Sequence, residues 1–341
     1  MRQKSLVTGA NGHLGYNLCK LLIEAGEDVV ATYRNPRNRG VVEELNCEVR
    51  PLDIMDKASM LTAFRDISHV YAVGANFSMW AKNPRKEIYE NNVRGTRHLF
   101  EAAAECGVQH IVYVSSVAAL DFTRLPAKES NGYNQDRRNW YYNSKNDSDK
   151  LALELGQQYN IRTVLVLPSA MIGREAHTLS YSNRLVYQIL RGEMIADTNI
   201  TVNWIDVKDV ARGAYQAMKK GRDGERYILA NEQHTSIQES VALAARAFPA
   251  LGLTIPRKIP KAVLYLVASL MEMGSKLSGK EPKLQRHYLD MLYGLRQDYD
   301  ISKARKELGF SPKPSAEALK EALVYLRDEW SRTSYAQEMS P

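Results

Sequence analysis

The sequence predicts an α/β fold: a doubly wound parallel sheet with a smaller, interleaved C-terminal lobe. Three observations predict it. Short apolar runs alternate with helix-period segments through the first half of the chain. A glycine-rich turn, Thr8-Gly9-Ala10-Asn11-Gly12-His13-Leu14-Gly15, joins the first run to the first helix. After Pro168 the character changes, and prolines at 256, 260, 282, 312 and 314 punctuate shorter helices. Strands that alternate with helices imply right-handed crossovers and a parallel sheet covered on both faces. Ligands of such sheets bind at the carboxyl ends of the strands.

The elements follow in order. Ser5-Leu6-Val7-Thr8 reads as a buried strand, and Tyr16 to Ala25 as a helix with Leu18, Leu21 and Leu22 on one face and Gly26 as its stop. Further strands are predicted at Asp28 to Tyr33, Cys47 to Leu52, His69 to Val73, His110 to Val114 and Arg162 to Leu167, the last closed by Pro168. Asn92 to Cys106 is helical and ends at Gly107. A helix carrying Tyr141 and Lys145 runs to about Tyr159. Tyr227-Ile228-Leu229 looks like a strand returning to the sheet, and Asp300 to Leu308 is a helix stopped by Gly309.

Composition excludes several classes. The chain has 341 residues, 44% hydrophobic and 25% charged, as soluble globular chains do. Its net charge of +7 is scattered, apart from Arg34, Arg37 and Arg39 around one turn. No aromatic-interleaved basic stripe is present, so nucleic acid is not an expected partner, and a small polyanion better explains the local cluster. Cys19, Cys47 and Cys106 have no pairing or metal-ligand spacing, which points to a reducing compartment and a cytoplasmic location. Cys19 and Cys106 read as small core residues in helices. The seven histidines show no ligand spacing, and no metal is expected. No secretory signal precedes the first strand. The apolar run Ala262 to Met271 is well short of the roughly 20 residues that span a bilayer. Its length and periodicity favour core or pocket wall over membrane contact, and stable insertion is not expected.

Four groups of residues carry chemistry. Glycines 9, 12 and 15 let the backbone turn sharply and approach a pyrophosphate at a helix N-terminus. Arg34 stands after the second strand, where an acid would bind ribose hydroxyls; its guanidinium suits a 2′-phosphate instead, and so favours NADP(H) over NAD. Asp53 reads equally as an adenine contact or as part of a helix cap near Asp56. Tyr141 and Lys145, four residues apart, share a helix face, and an ammonium beside a phenol favours the phenolate. Ser115 and Ser116 end the fifth strand, one expected to face the reaction and the other to support it. Asn92 reads as an N-cap or a bridging amide at least as readily as a direct participant. The expected division is a dinucleotide-binding unit over 1–173, with 201–232 returning to it, and a substrate lobe over 174–200 and 233–330. Met171, Met194, Tyr181, Tyr187, Met271 and Met273 would allow an apolar or aromatic substrate, or serve as plain core.

Together these residues resemble the extended short-chain dehydrogenase/reductase family, over essentially the whole chain. Thr8 to Gly15 is similar to its TGxxGxxG motif, and Ser116, Tyr141 and Lys145 to its serine–tyrosine–lysine triad. Pro168-Ser169-Ala170-Met171-Ile172-Gly173, the stretch Asn203 to Ala211, and Tyr299 to Phe310 resemble later family elements. The resemblance implies a Rossmann fold. It also implies cofactor contacts from Gly9, Asn11, Gly12, His13, Leu14, Gly15, Arg34, Asp53, Ile54, Val73, Gly74, Tyr141, Lys145, Pro168 and Ser169. Tyr33-Arg34-Asn35-Pro36 is similar to the dihydroflavonol 4-reductase-like branch, whose members mostly reduce ketones or aldehydes with NADPH. The segment Asp121 to Trp140 lacks a flavonoid-reductase signature, so a flavonoid substrate is not expected. Ser116 is followed by Val117, Ala118 and Ala119 rather than an acidic pair, which disfavours dehydration.

The expectation is therefore an NADP-dependent oxidoreductase that passes hydride to a small carbonyl compound, or takes it from an alcohol. A homodimer through sheet-covering helices is a common family arrangement. The alternatives are a nucleotide-sugar epimerase with tightly bound NAD, against which Arg34 argues, and a non-catalytic dinucleotide sensor, against which the retained tyrosine and lysine argue.

Overall fold

Seven strands form one wholly parallel sheet: β1 (Lys4–Val7), β2 (Asp28–Tyr33), β3 (Glu48–Pro51), β4 (His69–Ala72), β5 (His110–Val114), β6 (Arg162–Pro168) and β7 (Arg226–Leu229). Their order is β7-β6-β5-β4-β1-β2-β3. Helices cover both faces, so the inner strands are continuous apolar runs rather than alternating ones, while the edge strand β3 (Glu48-Val49-Arg50-Pro51) is exposed to half-buried. In β4 all four residues are buried. In the computed structural model the described residues are 3–74, 81–194, 196–278, 282, 284–286, 289–290 and 293–330. The strand order reverses at β1, between β4 and β2, and the crevice above such a reversal is where ligands of this architecture sit.

The first helix, α1 (His13–Glu24), starts three residues before the position that periodicity suggested. Gly12 and Gly15 break the apolar pattern there, and the backbone winds through them. Helix α2 (Asn91–Glu105) continues directly from a wide π-type turn over Arg85–Glu90. Asn92 therefore lies inside helical backbone and is not an N-cap. Its amide instead donates to Ser144 Oγ at 3.0 Å, the bridging role. Helix α3 (Trp140–Gln158) is capped by Asn139, whose side chain accepts from the Tyr142 N–H.

The larger core lies between the sheet and its helices. Tyr299, Ile301, Ala304, Leu308 and Phe310, expected with the substrate lobe, pack into this core. A second core gathers Ile172, Val186, Trp204, Val241, Leu323 and Trp330. The Trp204 indole donates to Ser240 Oγ at 3.1 Å, which satisfies its polar edge in an apolar setting.

Two expectations need correction. Cys106 is the half-buried cap residue after α2 rather than a core helix residue, while Cys19 is fully buried. Helix α4 (Lys261–Ser278) is not core or pocket wall along its whole circumference, because Leu266, Leu270 and Met273 face outward. No helix among the described residues is long and apolar enough to cross a membrane.

Candidate active site

Hydrogen bonds from backbone N–H groups join the carboxyl ends of β1, β2 and β4. Gly9 N–H donates to Thr32 Oγ1, Ala10 N–H to the Thr32 carbonyl, and Gly74 N–H to Thr8 Oγ1. Gly9 has φ of +63°, and a Cβ there would stand 3.0 Å from Gly74 Cα. A Cβ on Gly15 would stand 2.3 Å from the Gly9 carbonyl oxygen. These glycines hold the loop against the start of α1. Gly12 is the N-cap and supplies no side-chain hydrogen bond, so the first-turn N–H groups and the positive end of the helix are left without a side-chain partner. Such a start fits a pyrophosphate. Gly15→Ala should cost about 1–3 kcal/mol, because backbone must move to admit the methyl. A thermal midpoint equal to that of the parent protein would refute that reading of the loop.

The remaining loop residues differ in what their side chains do. Asn11 is half-buried at the loop tip, and Leu14 is core. The His13 ring turns toward the Arg174 carbonyl, with Nε2 at 3.2 Å. A carbonyl only accepts, so Nε2 carries the proton. Burial pushes the His13 pKa down to about 4, so the ring is neutral. Only the backbone of His13 and Leu14 is left to meet a phosphate.

Arg34 is exposed just past β2 and makes no ion pair among the described residues. Arg39, by contrast, is tied to Glu43 at 2.7 Å, which removes it from the expected cationic cluster. Asp53 accepts from the Met55 N–H through one carboxyl oxygen, and Asp56 is the true cap of the following helix. Ile54 packs beside Gly95, where a Cβ would come within 3.2 Å of it. Val73 and Gly74 close the end of β4 against Thr8. Pro168 ends β6, and Ser169 Oγ donates to the Asn203 side chain at 2.9 Å.

Ser116, Tyr141 and Lys145 converge above β5. Ser116 Oγ accepts from the Ala118 N–H at 3.1 Å and lies within hydrogen-bonding reach of the Tyr141 hydroxyl. Lys145 Nζ stands 5.9 Å from the centroid of the Tyr141 ring. Ser144 donates to the Tyr141 carbonyl at 2.7 Å and receives Asn92, which pins this turn of α3 to α2. The electrostatics correct one expectation. Burial pushes the Tyr141 pKa up to about 12, partly offset by Ser116, and Lys145 does not reverse this. Burial also lowers Lys145, to about 8, with Asp149 opposing the shift. Removal from water outweighs the cation–phenol attraction, so the phenol keeps its proton near neutral pH.

Sequence reasoning missed Asp149. It follows Lys145 by one helical turn, is fully buried, and has the Ser115 hydroxyl near hydrogen-bonding reach of its carboxyl. The Arg226 guanidinium, at the start of β7, stands 3.7 Å away. Arg226 lies 4.1 Å from the Tyr133 ring centroid and donates to the Gly132 and Ala119 carbonyls. Burial raises the Asp149 pKa to about 6, with Arg226 opposing most strongly. The spacing Tyr141, Lys145, Asp149 was the available signal, since three polar residues at i, i+4 and i+8 share one face of a helix that packs on the sheet.

A family model, NAD dependent epimerase/dehydratase, matches residues 5–230. The chain belongs to that family. Its relatives include a putative dihydroflavonol 4-reductase from Synechocystis, 28% identical over 331 residues and covering 94% of each chain. Sterol demethylase protein B from Methylococcus capsulatus is 27% identical and covers 95% of this chain and 98% of its own. Among solved structures, gox2253 superposes with a TM-score of 0.82 at 29% identity, over 96% of this chain and 98% of that one. The epimerase/dehydratase family binds nicotinamide dinucleotides, and the uncapped start of α1 is consistent with that.

Proposed function

We propose that this protein is an NADPH-dependent reductase of a ketone or aldehyde. The observation that carries the reading is the convergence of Ser116, Tyr141 and Lys145 beside a glycine-lined helix start that fits a dinucleotide. The first-turn N–H groups of α1 would hold the pyrophosphate, and Arg34 would bind the 2′-phosphate. Lys145 would hold the nicotinamide ribose hydroxyls. The bound cofactor supplies the hydride. Ser116 orients the carbonyl oxygen, and Tyr141 Oη gives its proton to that oxygen as negative charge develops there. A pKa near 12 suits this direction, because the phenol enters the reaction already protonated. A reducing compartment is supported by three free cysteines.

Aromatic rings cluster around Tyr141. The Tyr141 and Tyr142 rings meet edge-on at 6.0 Å, and Phe122 and Tyr299 at 6.1 Å. Tyr299 and Tyr181 both lie close enough to influence the Tyr142 hydroxyl. This setting supports a small apolar or aromatic carbonyl compound. Tyr187 instead packs on Trp330, and Met271 and Met273 are exposed, so those three do not contribute. Arg34→Ser tests the cofactor choice. NADPH affinity should fall by about tenfold or more while NADH affinity holds, as removing a charge-assisted hydrogen bond implies. Equal loss for both cofactors, measured by fluorescence titration, would defeat the assignment of Arg34.

A further inference from the structure

Helix α4 has an inner and an outer face of opposite character. On its inner side Leu264 and Ala268 pack with Leu289 in a small buried cluster. On its outer side Val263, Leu266, Leu270 and Met273 are 48%, 63%, 56% and 61% exposed. They recur at i, i+3, i+7 and i+10, which aligns them as one stripe along the helix. Large apolar side chains lined up in water mark a contact surface rather than ordinary scatter.

The charges around the stripe indicate what covers it. Arg257, Lys258 and Lys261 are all exposed at its N-terminal end. Arg257 and Lys258 make no ion pair among the described residues, and Lys261 lies over the Tyr265 and Tyr293 rings rather than beside an acid. The one acid on the helix, Glu272, is held by Arg286 at 2.8 Å and is only 22% exposed. Among the described residues of the helix itself, a second copy would bring these cations no carboxylate beyond the Arg286-held Glu272. An anionic lipid surface offers both an apolar interior and negative headgroups.

We propose that α4 docks this protein on an anionic membrane surface, lying in the interface with Leu266, Leu270 and Met273 inserted and Arg257, Lys258 and Lys261 on the headgroups. The helix lies on the bilayer and does not span it. This surface rests on its own observations, and it stands or falls independently of the reductase reading.

Vesicle flotation with the full chain tests it. The protein should float with vesicles of phosphatidylglycerol mixed with phosphatidylcholine, at low ionic strength, and much less with phosphatidylcholine alone. Replacing Arg257, Lys258 and Lys261 with Gln should weaken that partitioning by about a hundredfold, and added salt should mimic the change. Replacing Leu266, Leu270 and Met273 with Ser should abolish flotation with either lipid. The thermal midpoint of both variants should match the parent, because every substituted side chain is exposed. Failure of the parent protein to float, or flotation that neither variant alters, would overturn the proposal. So would a dimer in sedimentation velocity that the Ser variant dissolves without any vesicle binding, since the stripe would then join two copies.

Discussion

Tyr141→Phe should lower carbonyl reduction by about two to four orders of magnitude, the usual contribution of a positioned proton donor. NADPH affinity should remain close to that of the parent protein. The substitution removes one oxygen and keeps the ring, so the edge contact with Tyr142 and the approach of Lys145 persist. The lost hydrogen bond to Ser116 is worth only about 1 kcal/mol of stability. Chemistry and fold therefore separate cleanly in this variant. Steady-state rates alongside a cofactor titration distinguish the outcomes. Retained turnover would remove Tyr141 from the proton path, and lost cofactor affinity would assign it a binding role instead.

Arg226→Met should destabilise the protein by about 3–5 kcal/mol above neutral pH, because the buried Asp149 loses its guanidinium and the Gly132 and Ala119 carbonyls lose their donor. The loss should depend on pH in a definite direction. The Asp149 pKa is raised from 3.8 to about 6 in the folded protein, so its protonated form is the one folding favours. Stability from this group is fully present below about 3.8 and is lost as pH rises through about 6. Arg226 opposes that rise, so its removal pushes the pKa higher still, and the charge part of the loss vanishes while Asp149 is protonated. The gap between variant and parent should be smaller near pH 4 and widen by about 1.4 kcal/mol by pH 7, one unit above the Asp149 pKa of about 6. A constant part will remain, from the Tyr133 ring and the two carbonyls that Arg226 binds. Denaturant titrations at both pH values measure this, and adding Asp149→Asn should recover part of the loss above neutrality. A gap of equal size at both pH values would contradict the account of this pair.

The sheet was legible in the sequence because parallel strands are buried on both faces. The apolar runs of the inner strands are continuous, and β1 to β6 stand where they were expected, to within a residue or two, although the edge strand β3 is not apolar. Helix starts were less legible. The start of α1 falls in a stretch of small and polar residues, and Asn92 looked like a cap because the π-type turn before it has no sequence signature. The glycine loop and the Tyr141–Lys145 spacing are local, so sequence reasoning found them. Asp149 and Arg226 are 77 residues apart in the chain and meet only when β7 returns to the sheet beside β6. The acidification of Tyr141 by Lys145 was expected from proximity alone. How far burial outweighs that attraction depends on packing, which spacing does not encode. The exposed face of α4 was hidden for a related reason: a run that is apolar all round looks the same whether one face or two are covered.

Anaerobic mixing of the purified protein with NADPH and a panel of apolar aldehydes and ketones tests the central claim most directly. The account predicts that NADPH absorbance disappears in step with formation of the matching alcohol, faster than with NADH. Denaturing the protein should release no tightly held NAD. Release of stoichiometric NAD, with no NADPH consumed by any carbonyl compound, would contradict it.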